Sequence, residues 1–208
     1  MQNTTSHKLK NEDALAFMLG GRARFTLKSL ETSVDFSFEI QDQKIKQGNK
    51  RVNNPNLKFV SLFIGAGTQV KGRAYAYFGY IVKTTNGWSY RDSPKSKFSN
   101  NLETGIVGFK FVFQRLLNGA ALPKLEIWHE GICACCGRAL KLSESIELGW
   151  GPVCLGRRVE LRKKLEEEVE LRRLEANRIA NAPRLFSKNA ILQTNLFSLQ
   201  PDLVTKKR

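Results

Sequence analysis

All four cysteines of this 208-residue chain lie in one short stretch, which also contains one of its two histidines. Cys133 and Cys136 form a C-x-x-C pair, and the Gly137 that follows can adopt the positive φ of a tight turn. Such a turn directs two sulfurs to one point. Cys154 follows Gly-x-Gly-Pro, a rigid bend that could present a third sulfur. The set indicates a tetrahedral zinc site, which needs four nitrogen or sulfur ligands.

Two residues could supply the fourth ligand. His129 lies shortly before Cys133, and Cys135 lies inside the C-x-x-C turn. We favour His129, because the side chain of Cys135 should point away from a metal that its neighbours hold. The site should be structural rather than catalytic, since nothing places a general base over an open coordination position. The predicted ligands of one structural Zn²⁺ are His129, Cys133, Cys136 and Cys154.

Disulfide and redox chemistry are the alternatives to a metal. The chain begins with a polar segment that lacks the apolar core of a secretion signal, so we expect a cytoplasmic protein without disulfides. A redox C-x-x-C normally opens a helix after a strand in a βαβ unit, and no such unit is visible. No apolar run approaches the length of a membrane span.

Residues 128–154 follow the pattern W-H-E-G-x-C-x-x-C-G-R-x-L-x-x-x-x-S-x-x-x-G-x-G-P-x-C. This pattern resembles a functionally uncharacterised zinc-binding family of bacteria and their phages, which has a His, three Cys, the Gly-Arg pair and the Gly-x-Gly-Pro-x-Cys. Cys135 is an extra residue that does not match. The segment from Phe17 to Leu27 also resembles the N-terminal part of that family. The resemblance implies a zinc module in a phage-like or mobile-element protein, without an established activity.

Periodicity predicts the elements that carry this module. Alternating apolar residues predict strands over 22–30, 33–40, 57–64, 73–83, 88–91 and 124–128. Helices are expected over 11–19, with Asn11 as N-cap, and over 101–118, where Ile106, Phe109, Val112, Phe113 and Leu116 recur at helical spacing. The fold class is α+β, an antiparallel sheet packed on one face by a helix. The predicted parts are an α+β body (1–125), a zinc knuckle (126–156), a charged helix (157–182) and an extended tail (183–208).

A net charge of +15 makes nucleic acid the expected partner. Loops are the best candidates for phosphate contacts, because lysines reach phosphates without demanding geometry. The open face of the sheet could also stack bases, with Tyr75, Tyr77, Arg73, Trp88, Tyr90 and Arg91 as candidates, although these tyrosines could simply cover the sheet. The predicted nucleic-acid-binding residues are Lys44, Lys46, Lys50 and Arg51 in a loop or hairpin tip over 43–56, Arg73, Lys95 and Lys97, and Arg138, Lys141, Arg157 and Arg158 around the knuckle.

The tail contains Gln193-Thr194-Asn195-Leu196-Phe197, which resembles the peptide with which bacterial proteins bind the DNA sliding clamp. Gln193 would make polar contacts while Leu196 and Phe197 fill an apolar pocket. The alternative is a tail that packs back on the body.

Two classes of function remain. The first is a non-enzymatic nucleic-acid-binding protein of a phage or mobile element, alone or as a small basic subunit of a nucleoprotein complex such as a CRISPR effector. The second is a protein-interaction factor that inhibits or redirects a host complex, including a defence system or the sliding clamp. The sequence contains no Ser/His/Asp order, phosphate loop or paired-carboxylate motif, so we do not expect an enzyme.

Overall fold

A computed structural model describes residues 7–65, 75–94 and 100–181. The strands of these ranges are β1 (His7–Lys8), β2 (Arg22–Ser29), β3 (Asp35–Gln47), β4 (Lys50–Phe63), β5 (Tyr75–Thr84), β6 (Gly87–Asp92) and β7 (Leu125–His129). The helices are α1 (Asn11–Met18), α2 (Asn100–Leu117), α3 (Ser143–Leu148) and α4 (Leu155–Asn181), with a 3-10 turn at Pro152–Cys154. The predicted α+β class, with an antiparallel sheet, a packed helix and a long charged C-terminal helix, is confirmed.

The strands form one antiparallel sheet in the order β1-β7-β2-β3-β4-β5-β6. Strand β7 inserts between β1 and β2, so that His129 pairs with Phe25 on one side and with His7 on the other. Two residues of pairing hold His7 at the edge of the sheet. The chain therefore leaves β7 and enters the cysteine-rich stretch from near this edge.

One face of the sheet carries the core. Phe38 of β3 packs on Phe25 of β2 and on Phe109 of α2, with ring centroids 5.6 and 5.3 Å apart, and Phe109 stacks on Phe113. The apolar stripe predicted for α2 therefore faces the sheet, and Phe25, Phe38 and Phe109 are fully buried. Burial of such rings supplies the main stabilisation, about 1.5–3 kcal/mol for each large apolar side chain.

The segment over 43–56, predicted as a loop or a hairpin tip, is the far end of a long hairpin. Strands β3 and β4 pair out to Gln47 and Lys50, and Gly48 at the tip has a φ of 61°. Positive φ matches the two-residue turns that continue the twist of antiparallel strands. The hairpin tip, one of the two predicted alternatives, is thus confirmed. Polar side chains on both faces hid the period-2 pattern that would have shown how far the strands extend, although backbone pairing needs no apolar face.

The strand register places the aromatic residues predicted to stack on bases on two different faces of the sheet. Tyr90 pairs with Ile81 and packs on Phe109, and Trp88 is 4% exposed, so both lie on the helix-covered face. Tyr77 contacts Phe59 on the opposite face, where both rings are about two-fifths exposed. Trp88 and Tyr90 are thus core residues rather than stacking candidates.

The chain divides into two compact units, Met1–Arg172 and Arg173–Arg208. The sheet, helices α1 to α3 and the first part of α4 lie in the first unit. There Leu165 is buried in the core, and Asp13 of α1 binds both Arg158 and Arg162 of α4. Of the second unit, the structure describes the last residues of α4, where Glu175 and Arg178 approach each other on an exposed surface.

Candidate metal centre and basic surface

Three thiols converge on one point of the first unit. The Sγ atoms of Cys133, Cys136 and Cys154 lie within 4.8 Å of one another, and all four cysteines are free. Cys133 is buried, while the other two are partly exposed. The cluster could hold a metal ion, because thiolates arranged around one point are ligands for soft and borderline divalent metals.

The C-x-x-C turn is closed by its own backbone. The Gly137 N–H donates to the Cys133 carbonyl at 2.8 Å, and the Cys133 N–H donates to the Arg138 carbonyl at 2.8 Å. Gly137 has a φ of 74°, which explains the glycine at this position. A bridge between Ile132 and Ala139 completes the loop, so Cys133 and Cys136 face the same way.

A second arm brings Cys154 to this turn. Helix α3 ends at Gly149, whose φ is 71°, and the Gly149 carbonyl accepts from the Ala134 N–H at 3.0 Å. Trp150 is buried, and the chain then passes through Gly151 into the 3-10 turn that ends at Cys154. A side chain on Gly149 would overlap the ring of Phe17, so the arm is packed directly against α1.

The pKa values of the Cys133 and Cys154 thiols are shifted in opposite directions. Burial acts to raise the pKa of Cys133, but the N–H groups of Gly151, Cys136 and Cys135 stabilise its thiolate and bring the pKa below its ordinary value. The Gly151 N–H lies 3.4 Å from the sulfur. The pKa of Cys154 is raised by burial and by the neighbouring sulfurs of Cys135 and Cys133. Thiolates this close repel one another, and a bound divalent cation would remove that penalty.

The predicted ligand His129 does not join the three thiols. Its Nε2 lies 2.7 Å from the Ile146 carbonyl oxygen, and its Nδ1 accepts from the Gly131 N–H at 3.1 Å. The ring is fully buried and lies near Phe17, because strand alternation points it into the core. Burial lowers the pKa of His129 to about 4, with a small further lowering from His7 and partial opposition from the Ile146 hydrogen bond. His129 positions the knuckle backbone through both nitrogens and is corrected from ligand to structural residue.

Most of the basic residues of the hairpin share one face of it. Lys44 pairs with Asn53 and Lys46 pairs with Arg51, so these side chains lie on the same side, while Lys50 lies on the other. All of these cations are exposed. Within the described ranges, Lys44, Lys46, Lys50 and Arg51 make no ion pair, which leaves their charge available to a ligand.

The arginines after the knuckle have different roles. Arg157 is exposed, and its Nη1 lies 3.5 Å from the Cys135 sulfur. Arg158 is 9% exposed and binds Asp13, so its prediction as a nucleic-acid contact is corrected. Neighbouring positions on a helix point in different directions, which here are toward solvent for Arg157 and toward α1 for Arg158. Arg138 and Lys141 are exposed at the other side of the knuckle.

Several predicted residues lie outside the described ranges. They are Arg73, Lys95 and Lys97, and the tail residues Gln193, Leu196 and Phe197.

Arg22 also belongs to this region, although no sequence motif singled it out. It begins β2, and its Nη1 donates to the Cys136 carbonyl at 3.3 Å. The Gly20-Gly21 pair before it permits this approach, because a side chain at Gly20 would overlap Ala134 and Trp150. Paired glycines next to a basic residue are the signal that could have indicated a close approach of two backbones.

Residues 128–159 match the profile of DUF6011, a family of unknown function. No curated protein and no solved structure matches the chain significantly. Among the described residues, no helix combines the length and apolar content needed to cross a membrane.

Proposed function

We propose that this protein is a non-enzymatic nucleic-acid-binding protein whose cysteine module holds one structural zinc ion. The observation that carries the proposal is the basic face of the β3–β4 hairpin, whose exposed cations begin beside the cysteine module at Lys44. Phosphate backbones bind such surfaces through counterion release, which requires charge but little geometric precision. The resemblance of the cysteine motif supports a phage or mobile element as the source. In the proposal the protein acts alone or as a small basic subunit of a nucleoprotein complex such as a CRISPR effector.

Zinc fits the thiol cluster. Tetrahedral Zn–S bonds of about 2.3 Å place the sulfurs about 3.8 Å apart, within the 4.8 Å limit that the three thiols meet. Cys133, Cys136 and Cys154 would be ligands. Cys135 is the candidate for the fourth, because its thiol shares a hydrogen bond with that of Cys154 while both nitrogens of His129 are engaged elsewhere. Its sulfur lies outside the group of three that meets the 4.8 Å limit and would have to approach the ion on binding. The ion would act as a structural staple and not as a reaction centre.

The zinc ion would fix the position of Arg157 relative to Arg22. Cys154 ends the 3-10 turn from which α4 starts, and Cys136 lies in the turn that Arg22 contacts. A metal shared by these cysteines would hold Arg157, on the first turn of α4, next to the sheet. In this proposal the metal does not touch nucleic acid but keeps the basic surface in one arrangement.

The test is binding of a fluorescent oligonucleotide, single- or double-stranded, at low salt. Replacing Lys44, Lys46, Lys50 and Arg51 together with glutamine should weaken binding at least tenfold, because a phosphate without a cationic partner releases no counterion. The matched control replaces Lys110, Lys124, Lys163 and Arg178, three lysines and one arginine outside the hairpin, and should change affinity about twofold or less. Equal weakening in the two variants would mean that net charge alone, rather than this hairpin, accounts for binding.

A further inference from the structure

A cavity lies where the hairpin, the start of β2 and the first turn of α4 meet at the cysteine module. Its volume is about 570 Å³. Its lining consists of Arg22, Lys44, Asn53, Cys135, Cys136, Val153, Cys154 and Arg157. It therefore joins the basic hairpin to the thiol cluster, although the two lie far apart in the sequence.

The charge of this cavity is positive. Three of its lining residues are cations, Arg22, Lys44 and Arg157, and its lining contains no Asp or Glu. The carboxylate of Asp42 acts on Arg157 from outside the lining, and it already binds the buried Lys58. Four thiolates around one divalent cation would carry two net negative charges, fewer than the three positive charges of the lining, so the cavity remains positive with the metal in place.

Both guanidinium groups are oriented by the module and keep donors for a ligand. Arg22 uses Nη1 on the Cys136 carbonyl, and Arg157 uses Nη1 on the Cys135 sulfur. Each guanidinium has five N–H donors in a planar fork. No other hydrogen bond of either guanidinium occurs within the described part of the chain. Two pre-oriented guanidinium groups and a lysine match the oxygens of a phosphate group.

We propose that this cavity binds a backbone phosphate of the nucleic acid, and this inference rests on the proposed function. The phosphate would accept hydrogen bonds from Arg22 and Arg157, while Lys44 contributes charge. The positive end of the α4 dipole lies at the same place, since the cavity is lined by Cys154 and Arg157 at the start of that helix. Lys46 and Arg51 continue the same face toward the hairpin tip and would meet neighbouring phosphates.

The first experiment uses inorganic phosphate as the probe. Zinc-loaded, full-length protein is titrated with phosphate, and the side-chain Nε–Hε signals of its arginines are followed by NMR, with chloride at equal ionic strength as reference. The signals of Arg22 and Arg157 should shift in a saturable way while that of Arg178 stays unchanged. Shifts no larger than those with chloride would overturn the phosphate site, whatever the oligonucleotide result.

The second experiment compares single variants in oligonucleotide binding. Arg157→Gln should weaken affinity about tenfold, the effect of removing one charge-assisted hydrogen bond. Lys44→Gln removes charge alone and should weaken affinity about threefold. Arg178→Gln and Lys163→Gln are the matched controls and should bind as wild type does. Arg157→Lys keeps the charge but not the fork, so it should retain the salt dependence of wild type and lose part of the affinity. Zinc content verifies that each variant folds.

The two readouts separate the two claims. If wild-type protein shows the phosphate shifts but no oligonucleotide binding at low salt, the proposed function is wrong and the cavity is an anion site of another kind. If wild type binds the oligonucleotide but the cavity variants match their controls, the function stands and the phosphate site is overturned.

Discussion

At the level of single residues, the cysteines differ in their surroundings in ways that their spacing in the sequence did not predict. Cys133 is buried and its thiolate is stabilised by backbone N–H groups, whereas the Cys154 thiol resists ionisation beside other sulfurs. A cation is the group that would satisfy both. Cys135 contacts Arg157 at the exposed edge of the cluster. His129 is not part of the cluster and is buried in the core.

Substitution of single ligands tests this division. Cys133→Ser, Cys136→Ser and Cys154→Ser should each abolish tight zinc binding, because a structural site needs its full set of four ligands. His129→Asn should keep one zinc per chain and lower stability instead, through the loss of buried hydrogen bonds. The measurement is the zinc content of proteins purified without added metal. A greater loss of zinc in His129→Asn than in Cys135→Ser would restore the histidine as the fourth ligand.

His129 also makes stability depend on pH. Its folded-state pKa of about 4 lies below the value of about 6.5 in an unfolded chain, because burial disfavours the imidazolium. The unfolded state therefore binds the proton first as pH falls. Stability is complete above about pH 6.5 and declines toward pH 4, by a total on the order of 3 kcal/mol.

Urea unfolding across that pH range measures this effect, with His129→Gln as the comparison. Acid also releases metal from thiolates in both proteins, so the difference between them isolates the histidine. The wild type should lose more free energy of unfolding than the variant between about pH 6.5 and pH 4. Parallel pH profiles would show that this imidazole does not carry the dependence.

The three cysteines of the cluster could be identified from the sequence, because the C-x-x-C and Gly-x-Gly-Pro-x-Cys motifs constrain local geometry. The role of His129 could not, since whether a histidine at the end of a strand faces a metal or the core depends on the phase of that strand. That phase is set by pairing with β2, which lies far earlier in the chain. The prediction for Arg158 was wrong for a similar reason, because its partner Asp13 comes from α1.

Between elements, the contact of α1 with α4 depends on a buried ionic cluster. Asp13 binds Arg158 and Arg162 while its carboxylate is 6% exposed. Asp13→Ala leaves Arg158 buried without a partner, and such a change costs about 3–5 kcal/mol. The free energy of unfolding from denaturant titration should fall by that amount.

The control for this cluster is Glu166→Gln, which removes only the exposed partner of Arg162. It should cost less than about 0.5 kcal/mol, because exposed ion pairs are screened by solvent. Equal effects of the two substitutions would mean that the Asp13 cluster is no more than a surface pair.

Element boundaries were accessible from sequence wherever burial imposes a period. Strand β2 and helix α2 follow the predicted patterns, since each has one face in the core. The outer half of the β3–β4 hairpin has no buried face, so the sequence contained no periodic signal for it. Asn11 is likewise the first helical residue rather than the N-cap, which is Lys10. Such one-residue differences are usual at helix ends.

On the scale of the whole molecule, helices cover one face of the sheet and leave the other exposed, so the two sides carry different surfaces. The helix-covered side ends at the cysteine module and the basic face of the hairpin. The opposite side exposes aromatic residues such as Phe59, Phe63 and Tyr77 beside the Arg24–Glu39 ion pair. That opposite side carries charges of both signs. In our proposal, the nucleic acid that the net charge of +15 attracts therefore binds at the basic face of the hairpin.

Whether the basic hairpin and the adjoining cavity bind phosphates can be decided by the salt dependence of oligonucleotide affinity. For wild type, the logarithm of the affinity should fall linearly with the logarithm of salt concentration, with a slope of magnitude about 4 or more. Removing Lys44, Lys46, Lys50 and Arg51 together should reduce that magnitude by about one for each cation that contacts a phosphate. An unchanged slope in this variant, or wild-type binding that is insensitive to salt, would show that these cations do not hold the nucleic acid.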